Sequence, residues 1–360
     1  MKTSFKPIHG LTLLCGVTLL CGCHSIGPMT VARDRFDYSS AITESWKRQT
    51  LLNIVKLRYL DPPIFVDVGQ IVSGYSLATG ASIGGTLASE NGVNNMMLGG
   101  AATFTDRPTV TYTPLTGSKF VRALITPIPP ESLFSTLQAG WPADAMMLTG
   151  IASINGLKNQ QASISGVAAA DDGFLRAIQL MRKIQLSDAV GVRVVQGTNK
   201  DESTLVSFHA QNISPETLAD IRELHELLHL APDAQEFKLV FGSTPANDRE
   251  LAVVTRSMLH IMNSMASQVD VPPQDIAEGR TTPGWNALSP TAEQRRLIRI
   301  HSAKSEPSDC FVAVPYRQHW YWIDDRDMKS KRMFSLIMLL FTLGDNSEPA
   351  GAPVLTIPAQ

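Results

Sequence analysis

The chain has almost no cysteine beyond its first 23 residues. Of its four cysteines, three lie at positions 15, 21 and 23, and Cys310 alone follows them. A chain with so few thiols outside its N-terminal segment is not a scaffold held together by disulfides. Cys310 precedes the apolar stretch Phe311–Val314, so we expect a buried and unreactive thiol there rather than a nucleophile.

An excess of positive charge is also missing. The sequence has 31 lysines and arginines against 33 acidic residues, a formal net charge of −2, with no dense charge run. Removal of residues 1–22 would take away Lys2 and Lys6, leaving 29 basic and 33 acidic residues and a net charge of −4. The composition therefore excludes the basic surface that a nucleic-acid partner requires.

Long hydrophobic runs are limited to two, at residues 11–20 and 333–343. Both are too short to span a bilayer as a helix. The first run follows Lys2 and Lys6, an arrangement that predicts a secretory signal peptide over residues 1–22. The second run predicts a buried helix near the end of the chain.

The apolar N-terminal run ends in Leu20-Cys21-Gly22-Cys23. This ending resembles the lipobox of bacterial lipoproteins, in which the peptide is cut before a cysteine that carries fatty acyl chains such as palmitate. The resemblance implies that Cys23 is the lipid-modified residue. His24 follows it instead of the aspartate that would favour retention at the inner membrane. We therefore expect a lipid-anchored protein of the Gram-negative cell outer membrane that faces the periplasm.

The remaining chain divides by composition into three further regions. Residues 23–37 are expected to form a lipidated tether, residues 38–344 an α+β periplasmic region with a possible split near 156–170, and residues 345–360 a tail. Helices and strands follow one another without a regular βαβ rhythm, which favours an α+β fold over a doubly wound sheet. Helical spacing of apolar residues predicts helices at 39–59, 131–138, 171–185, 214–230, 251–269 and 330–343.

The most unusual region is a stretch rich in glycine, alanine and threonine at about residues 71–113. Apolar residues alternate with small or polar residues on both sides of the turn-forming segment 89–95, which predicts one long β-hairpin. A hairpin with an apolar face is not stable alone, so it has to bury that face. The pattern resembles the hairpins that some oligomeric outer-membrane lipoproteins contribute to a shared pore. A hairpin packed on the protein's own helices or on a neighbouring copy remains the alternative.

One short motif points to metal chemistry. In His225-Glu226-Leu227-Leu228-His229, two histidines four residues apart would share one face of a helix and could bind zinc. Glu226 would then act as general base on the metal-bound water. The flanking residues match no zinc-peptidase pattern, and Glu250 is the only candidate for a third ligand at a plausible distance. Equally, both histidines can lie at the edge of a helix whose leucines form its core face.

A cluster of aromatic residues marks a second predicted hairpin, at 310–314 and 319–323. Trp320 and Trp322 alternate with Tyr321 and Ile323. Exposed, the two tryptophans could stack on the sugar rings of a ligand. The alternative is that this alternation reflects ordinary packing of the strand.

Three stretches together resemble a group of predicted lipoproteins of Gram-negative bacteria. They are Ser45–Tyr59, Arg107–Leu115 and Tyr321–Arg326, and the similarity runs through most of the chain. The resemblance implies a location and a single architecture, with no activity attached.

We therefore expect a non-catalytic binding or assembly role in the cell envelope, without a cofactor. The partners would be the outer-membrane lipid through Cys23 and further copies or other envelope proteins. The alternative is a membrane-tethered zinc metallopeptidase that uses His225, Glu226 and His229.

Overall fold

Helices and mostly antiparallel strands follow each other irregularly along the chain, which confirms the predicted α+β class. The computed structural model describes residues 26–72, 74–86, 95–163, 166–196, 202–209, 213–283 and 296–344. Cys23, the expected signal peptide at 1–22 and the expected tail at 345–360 lie outside the described residues.

The described helices, in chain order, are α1 (Ile26–Arg58), α2 (Gly117–Ile125), α3 (Pro130–Gln138), α4 (Ala143–Gly150), α5 (Asp172–Leu186), α6 (Pro215–Leu227), α7 (Met258–Ala266), α8 (Pro273–Ala277) and α9 (Met328–Gly344). The described strands are β1 (Phe65–Val72), β2 (Tyr75–Thr86), β3 (Asn95–Asp106), β4 (Thr109–Leu115), β5 (Ile151–Ile154), β6 (Leu157–Lys158), β7 (Gln161–Ser163), β8 (Gly166–Ala168), β9 (Val190–Gln196), β10 (Glu202–Phe208), β11 (Glu236–Phe241), β12 (Glu250–Thr255), β13 (His301–Ala303), β14 (Cys310–Tyr316) and β15 (His319–Asp324).

The chain forms two compact units. One comprises the described part of Met1–Ser45 together with Val66–Pro114, and it contains most of β1 to β4. The other comprises Trp46–Phe65 and the described chain from Leu115 onward, and it contains both larger sheets.

Helix α1 begins earlier than the sequence predicted. It already includes residues 26–37, which lie within the expected tether, instead of starting at residue 39. The physical reason is that no glycine or proline occurs between Pro28 and Pro62, and proline is tolerated in the first turn of a helix. The C-terminal half of α1 places Leu51, Ile54 and Val55 in the core of the larger unit.

A six-stranded sheet in the order β6-β5-β12-β11-β10-β9 is the centre of the larger unit. Only β11 and β12 run parallel among its described pairs. Strands β5 and β6 precede residues 159–170 in the chain and β9 to β12 follow them, so one sheet joins the two sides of the possible split near 156–170.

Strand β12 lies where the sequence predicted the start of a helix at 251–269. The run Leu251–Thr255 is rich in β-branched residues and is buried between β5 and β11, which favours a strand. Helix α7 begins only after Ser257, whose hydroxyl accepts a hydrogen bond from the backbone N–H of His260 at 3.2 Å.

Arg256 lies at the junction of β12 and α7 and is almost fully buried. Its Nη1 donates to the carbonyl oxygens of Leu148 at 3.0 Å and Thr149 at 3.3 Å, and its Nη2 donates to that of Gln160. Leu148 and Thr149 belong to the last turn of α4, whose carbonyls lack intrahelical partners. Burial lowers the pKa of the guanidinium to about 10, so it remains a cation at neutral pH and caps this helix.

A three-stranded sheet in the order β13-β15-β14 forms the predicted aromatic hairpin plus one strand that the sequence did not indicate. Tyr321 and Ile323 of the central strand β15 are buried, and α9 contributes Phe334, Ile337 and Leu340 to the same core. None of the helices that the structure describes is both long and apolar enough to cross a bilayer.

Candidate functional sites

The helix that carries the histidine motif ends inside the motif. Ser214 caps α6 by accepting a hydrogen bond from the Thr217 N–H at 3.1 Å, and Pro215 follows at the first helical position. The helix ends at Leu227, and His229 adopts a left-handed backbone conformation with φ of 53°. The predicted helix over 214–230 therefore extends three residues beyond the observed C-terminal end. His225 and His229 do not share a face of one continuous helix.

His225 is enclosed by aromatic rings and is 4% exposed. Its ring packs edge-on against Phe208 and Phe237, with centroid distances of 5.3 and 5.0 Å. Burial lowers the pKa of this imidazole, although a hydrogen bond with the Pro232 carbonyl acts in the opposite direction. Nε2 is buried and has no hydrogen-bond partner among the described residues. The side chain is thus a neutral ring that fills the core beneath β10 and β11.

The other residues of the predicted zinc site have surroundings that differ from those of His225. Glu226 and His229 are exposed, and Glu250 uses its carboxylate to accept the Ala246 N–H at 2.8 Å. In the part of the chain that the structure describes, no group of three or more His, Cys, Asp or Glu side chains is arranged to hold a metal ion.

Trp320 and Trp322 project from the opposite face of β15 to the buried Tyr321 and Ile323. Both indoles are half-buried. The register of the sheet places Ala303 and Pro315 beside Trp320, and His301 and Ala313 beside Trp322. Three of these four neighbours are small, so the two indoles are the largest side chains on this face of the sheet.

We call the face of β15 that carries Trp320 and Trp322 the tryptophan face. Polar groups lie at one end of it. The His301 ring stacks on Trp322 at 5.2 Å with an angle of 27° between the planes. Its Nδ1 lies 3.9 Å from a carboxylate oxygen of Asp270, and Asp324 is close enough to act on it electrostatically. Burial lowers the pKa of His301, so the imidazole is neutral at pH 7 and has one donor and one acceptor nitrogen.

A tyrosine cluster that no sequence pattern indicated lies at the end of α1. The Tyr59 hydroxyl donates to an Asp275 oxygen at 2.5 Å. The Tyr321 hydroxyl lies 2.7 Å from the Tyr59 hydroxyl. Nearby, the Tyr316 hydroxyl donates to Asp61, and Arg317 stacks over the Tyr59 ring at 4.7 Å. Tyr59 and Tyr321 are 262 positions apart, so no local pattern could have connected them.

The hydroxyl groups of Tyr59 and Tyr321 are hard to deprotonate. Burial is the main cause that raises the pKa of Tyr59, with the bond to Asp275 adding to it, and burial raises the pKa of Tyr321 to about 12. Both hydroxyls therefore keep their protons at neutral pH and act as hydrogen-bond donors. The cluster ties the end of α1 to α8 and to the β14–β15 hairpin.

The long hairpin is formed by β1 and β2 in one arm and by β3 and β4 in the other, which confirms the predicted hairpin at about residues 71–113. Strands β2 and β3 pair over twelve residues each without a register shift. A hydrogen bond of 2.9 Å from the Arg107 N–H to the Gly74 carbonyl connects the arms at the break between the two strand pairs.

Opposite residues of an antiparallel pair share a face, so the register assigns two faces to the β2–β3 hairpin. One face has the pairs Tyr75–Asp106, Leu77–Phe104, Thr79–Ala102, Ala81–Gly100, Ile83–Leu98 and Gly85–Met96. The other has the pairs Ser76–Thr105, Ala78–Thr103, Gly80–Ala101, Ser82–Gly99, Gly84–Met97 and Thr86–Asn95. By sequence, the first set of pairs contains most of the large apolar residues and the second set is mainly small or polar. Phe104, on the first face, is 50% exposed.

No protein-family model, no curated protein and no solved structure matches the chain.

Proposed function

We propose that the chain is a lipoprotein anchored by acylated Cys23 in the outer membrane and facing the periplasm. In this proposal it acts by assembly with further copies of itself, and not by catalysis. The anchor is supported by the signal-peptide pattern and by the lipobox-like Leu20–Cys23. The assembly is supported by one structural observation, namely that in the described part of the chain β2 and β3 pair with no further strand.

Neither long edge of this hairpin is paired with a third strand among the residues that the structure describes. Among the described residues, β2 pairs only with β3, so each strand presents one row of backbone N–H and C=O groups outward. Twelve residues extend about 40 Å at roughly 3.3 Å per residue. Such an edge is a template for the addition of another strand.

The hairpin also lacks the features that protect edges in monomeric proteins. Those features are charged side chains, proline, bulges and short strands. Within β2 and β3 the only charged residue is Asp106, at the last position, and neither strand contains proline. The twelve pairs run without a bulge. An isolated two-stranded sheet is at best marginally stable in water, so pairing with another strand would stabilise it.

A second copy of the chain is the partner that fits both edges at once. The β2 edge of one copy can pair with the β3 edge of the next, which is a head-to-tail contact that can close into a ring. Tethering of every copy to one membrane raises their effective concentration and favours such contacts. An assembled sheet would have one apolar face and one small polar face.

A variant with a shortened hairpin tests the assembly. Because Leu77 pairs with Phe104, residues 78–103 can be replaced by Asn-Gly, a two-residue turn that suits a hairpin. Light scattering of detergent-extracted, lipidated protein should give a multiple of the protomer mass for the parent and the mass of one protomer for the variant.

Point variants test the assembly without deleting any part of the hairpin. Ser76→Lys with Ala101→Lys introduces two edge charges at exposed positions and should also give protomers. The control is Leu186→Lys, which places a lysine at an exposed apolar residue of α5 and should leave the assembly intact. A parent protein that is itself a protomer, or edge variants that assemble like the parent, would refute the proposal.

A further inference from the structure

The tryptophan face of the three-stranded sheet has no role in the hairpin assembly, and its chemistry suggests a ligand of its own. A strand whose one face packs into the core is stabilised by that face, so two indoles on the opposite face are not required for packing. Tyr321 and Ile323 already fill the core side of β15. Trp320 and Trp322 remain half-buried on the far side. Partly exposed tryptophans are enriched where proteins bind other molecules.

The geometry of the face suits a chain of flat rings. Residues two apart on a strand are separated by roughly 7 Å, and both side chains point to the same side. The neighbours Ala303, Ala313 and Pro315 are small, and the ring of His301 stacks on Trp322 at 5.2 Å, so part of each indole stays exposed. Two platforms side by side can each support one ring of a linear ligand.

The polar groups at the His301 end define the chemistry of those rings. Neutral His301 can donate and accept one hydrogen bond, and the carboxylates of Asp270 and Asp324 can accept hydrogen bonds. Arg296 binds Asp270 at 2.6 Å and offsets part of its charge. Apolar platforms combined with donors and acceptors match a pyranose ring, which has an apolar C–H face and a rim of hydroxyl groups.

We infer that Trp320 and Trp322, with His301, form a binding site for the β-1,4-linked N-acetylhexosamine glycan of the cell wall. In such a chain all ring substituents are equatorial, so each ring presents a flat C–H face to an aromatic platform. The identification of the cell wall as the source of this glycan depends on the proposed periplasmic location. The preference for pyranose rings follows from the sheet alone, whereas the choice of this glycan rests on that location.

Titration of the purified, detergent-extracted protein with soluble chitohexaose tests the site. Binding should change the intrinsic tryptophan fluorescence, and the protein should co-sediment with purified peptidoglycan sacculi. Trp320→Ala and Trp322→Ala should each weaken both signals at least tenfold, and Trp322→Tyr should restore part of the affinity because it restores an aromatic platform.

The control is Trp46→Phe, which changes a half-buried tryptophan of α1 and should leave chitohexaose affinity unchanged. Circular dichroism and thermal unfolding verify that each variant is folded. Absence of binding by the parent, equal binding by the Trp320 and Trp322 variants, or binding of lipopolysaccharide in place of chitohexaose would overturn the inference. The hairpin variants should still bind chitohexaose, which separates a failure of this inference from a failure of the assembly.

Discussion

Several buried polar side chains in the larger unit bond to partners that are distant in sequence. Tyr59 and Arg256 are the clearest cases, since each bonds to residues about 100 or more positions away. The sequence shows which residues are polar, but it does not show which polar residues meet. The tyrosine cluster and the Arg256 cap could therefore not be predicted, whereas the alternation of Trp320 and Trp322 depends only on neighbours and was visible.

Removal of one hydroxyl tests the tyrosine cluster. Tyr59→Phe loses the bonds to Asp275 and Tyr321 and should lower the free energy of unfolding by about 1–3 kcal/mol, as measured by urea denaturation. Tyr112→Phe is the matched control, because this tyrosine is 64% exposed and its loss should cost less than about 0.5 kcal/mol. Equal costs for the two variants would show that the cluster does not contribute to stability.

The environment of His225 predicts a dependence of stability on pH. Burial lowers the pKa of His225 in the folded state, so the unfolded chain binds its proton more readily. The stabilisation that neutral His225 contributes to the folded state is fully present at a pH above 6.5, the ordinary pKa of histidine. It is lost as the pH falls below that value. Between pH 7.5 and 5.0, the urea midpoint of the parent should fall more than that of His225→Gln. Parallel losses in the two proteins would contradict a buried neutral imidazole.

At the scale of elements, the sequence predicts the type and length of a helix or strand correctly where its local pattern and its tertiary packing favour the same structure. The hairpin was predicted because alternation over many residues leaves few other structures. The start of α1 and the identity of β12 were not predicted, for different reasons. Helix α1 extends through polar residues that have no apolar periodicity, and β12 becomes a strand because the neighbouring strands β5 and β11 pair with it.

The position at which α6 ends predicts that the histidine motif does not bind zinc. Because the helix stops at Leu227 and His225 is enclosed by Phe208 and Phe237, zinc binding would require rearrangement of the core. Addition of equimolar zinc to metal-free protein should leave the thermal unfolding midpoint unchanged. Stoichiometric zinc that raises the midpoint, and that is lost in His225→Ala and His229→Ala, would instead establish the peptidase alternative.

At the scale of the whole molecule, the two compact units carry different proposed roles. The unit with β2 and β3 provides an edge for assembly, and the unit with both larger sheets provides the tryptophan face. The division itself was not visible in the sequence, since the smaller unit is built from two segments separated by residues 46–65. Composition alone marks neither boundary, because α1 runs through one of them without a break.

Both roles presuppose a location that depends on one residue, and fractionation of the cell envelope tests it most directly. In a Gram-negative host, the parent protein and Cys310→Ser should both sediment with the outer-membrane fraction. Cys23→Ser should be absent from that fraction, because each buried methylene of an acyl chain contributes about 0.8 kcal/mol of membrane binding and the variant has no acyl chain. Recovery of Cys23→Ser in the outer-membrane fraction at the level of the parent would contradict the account.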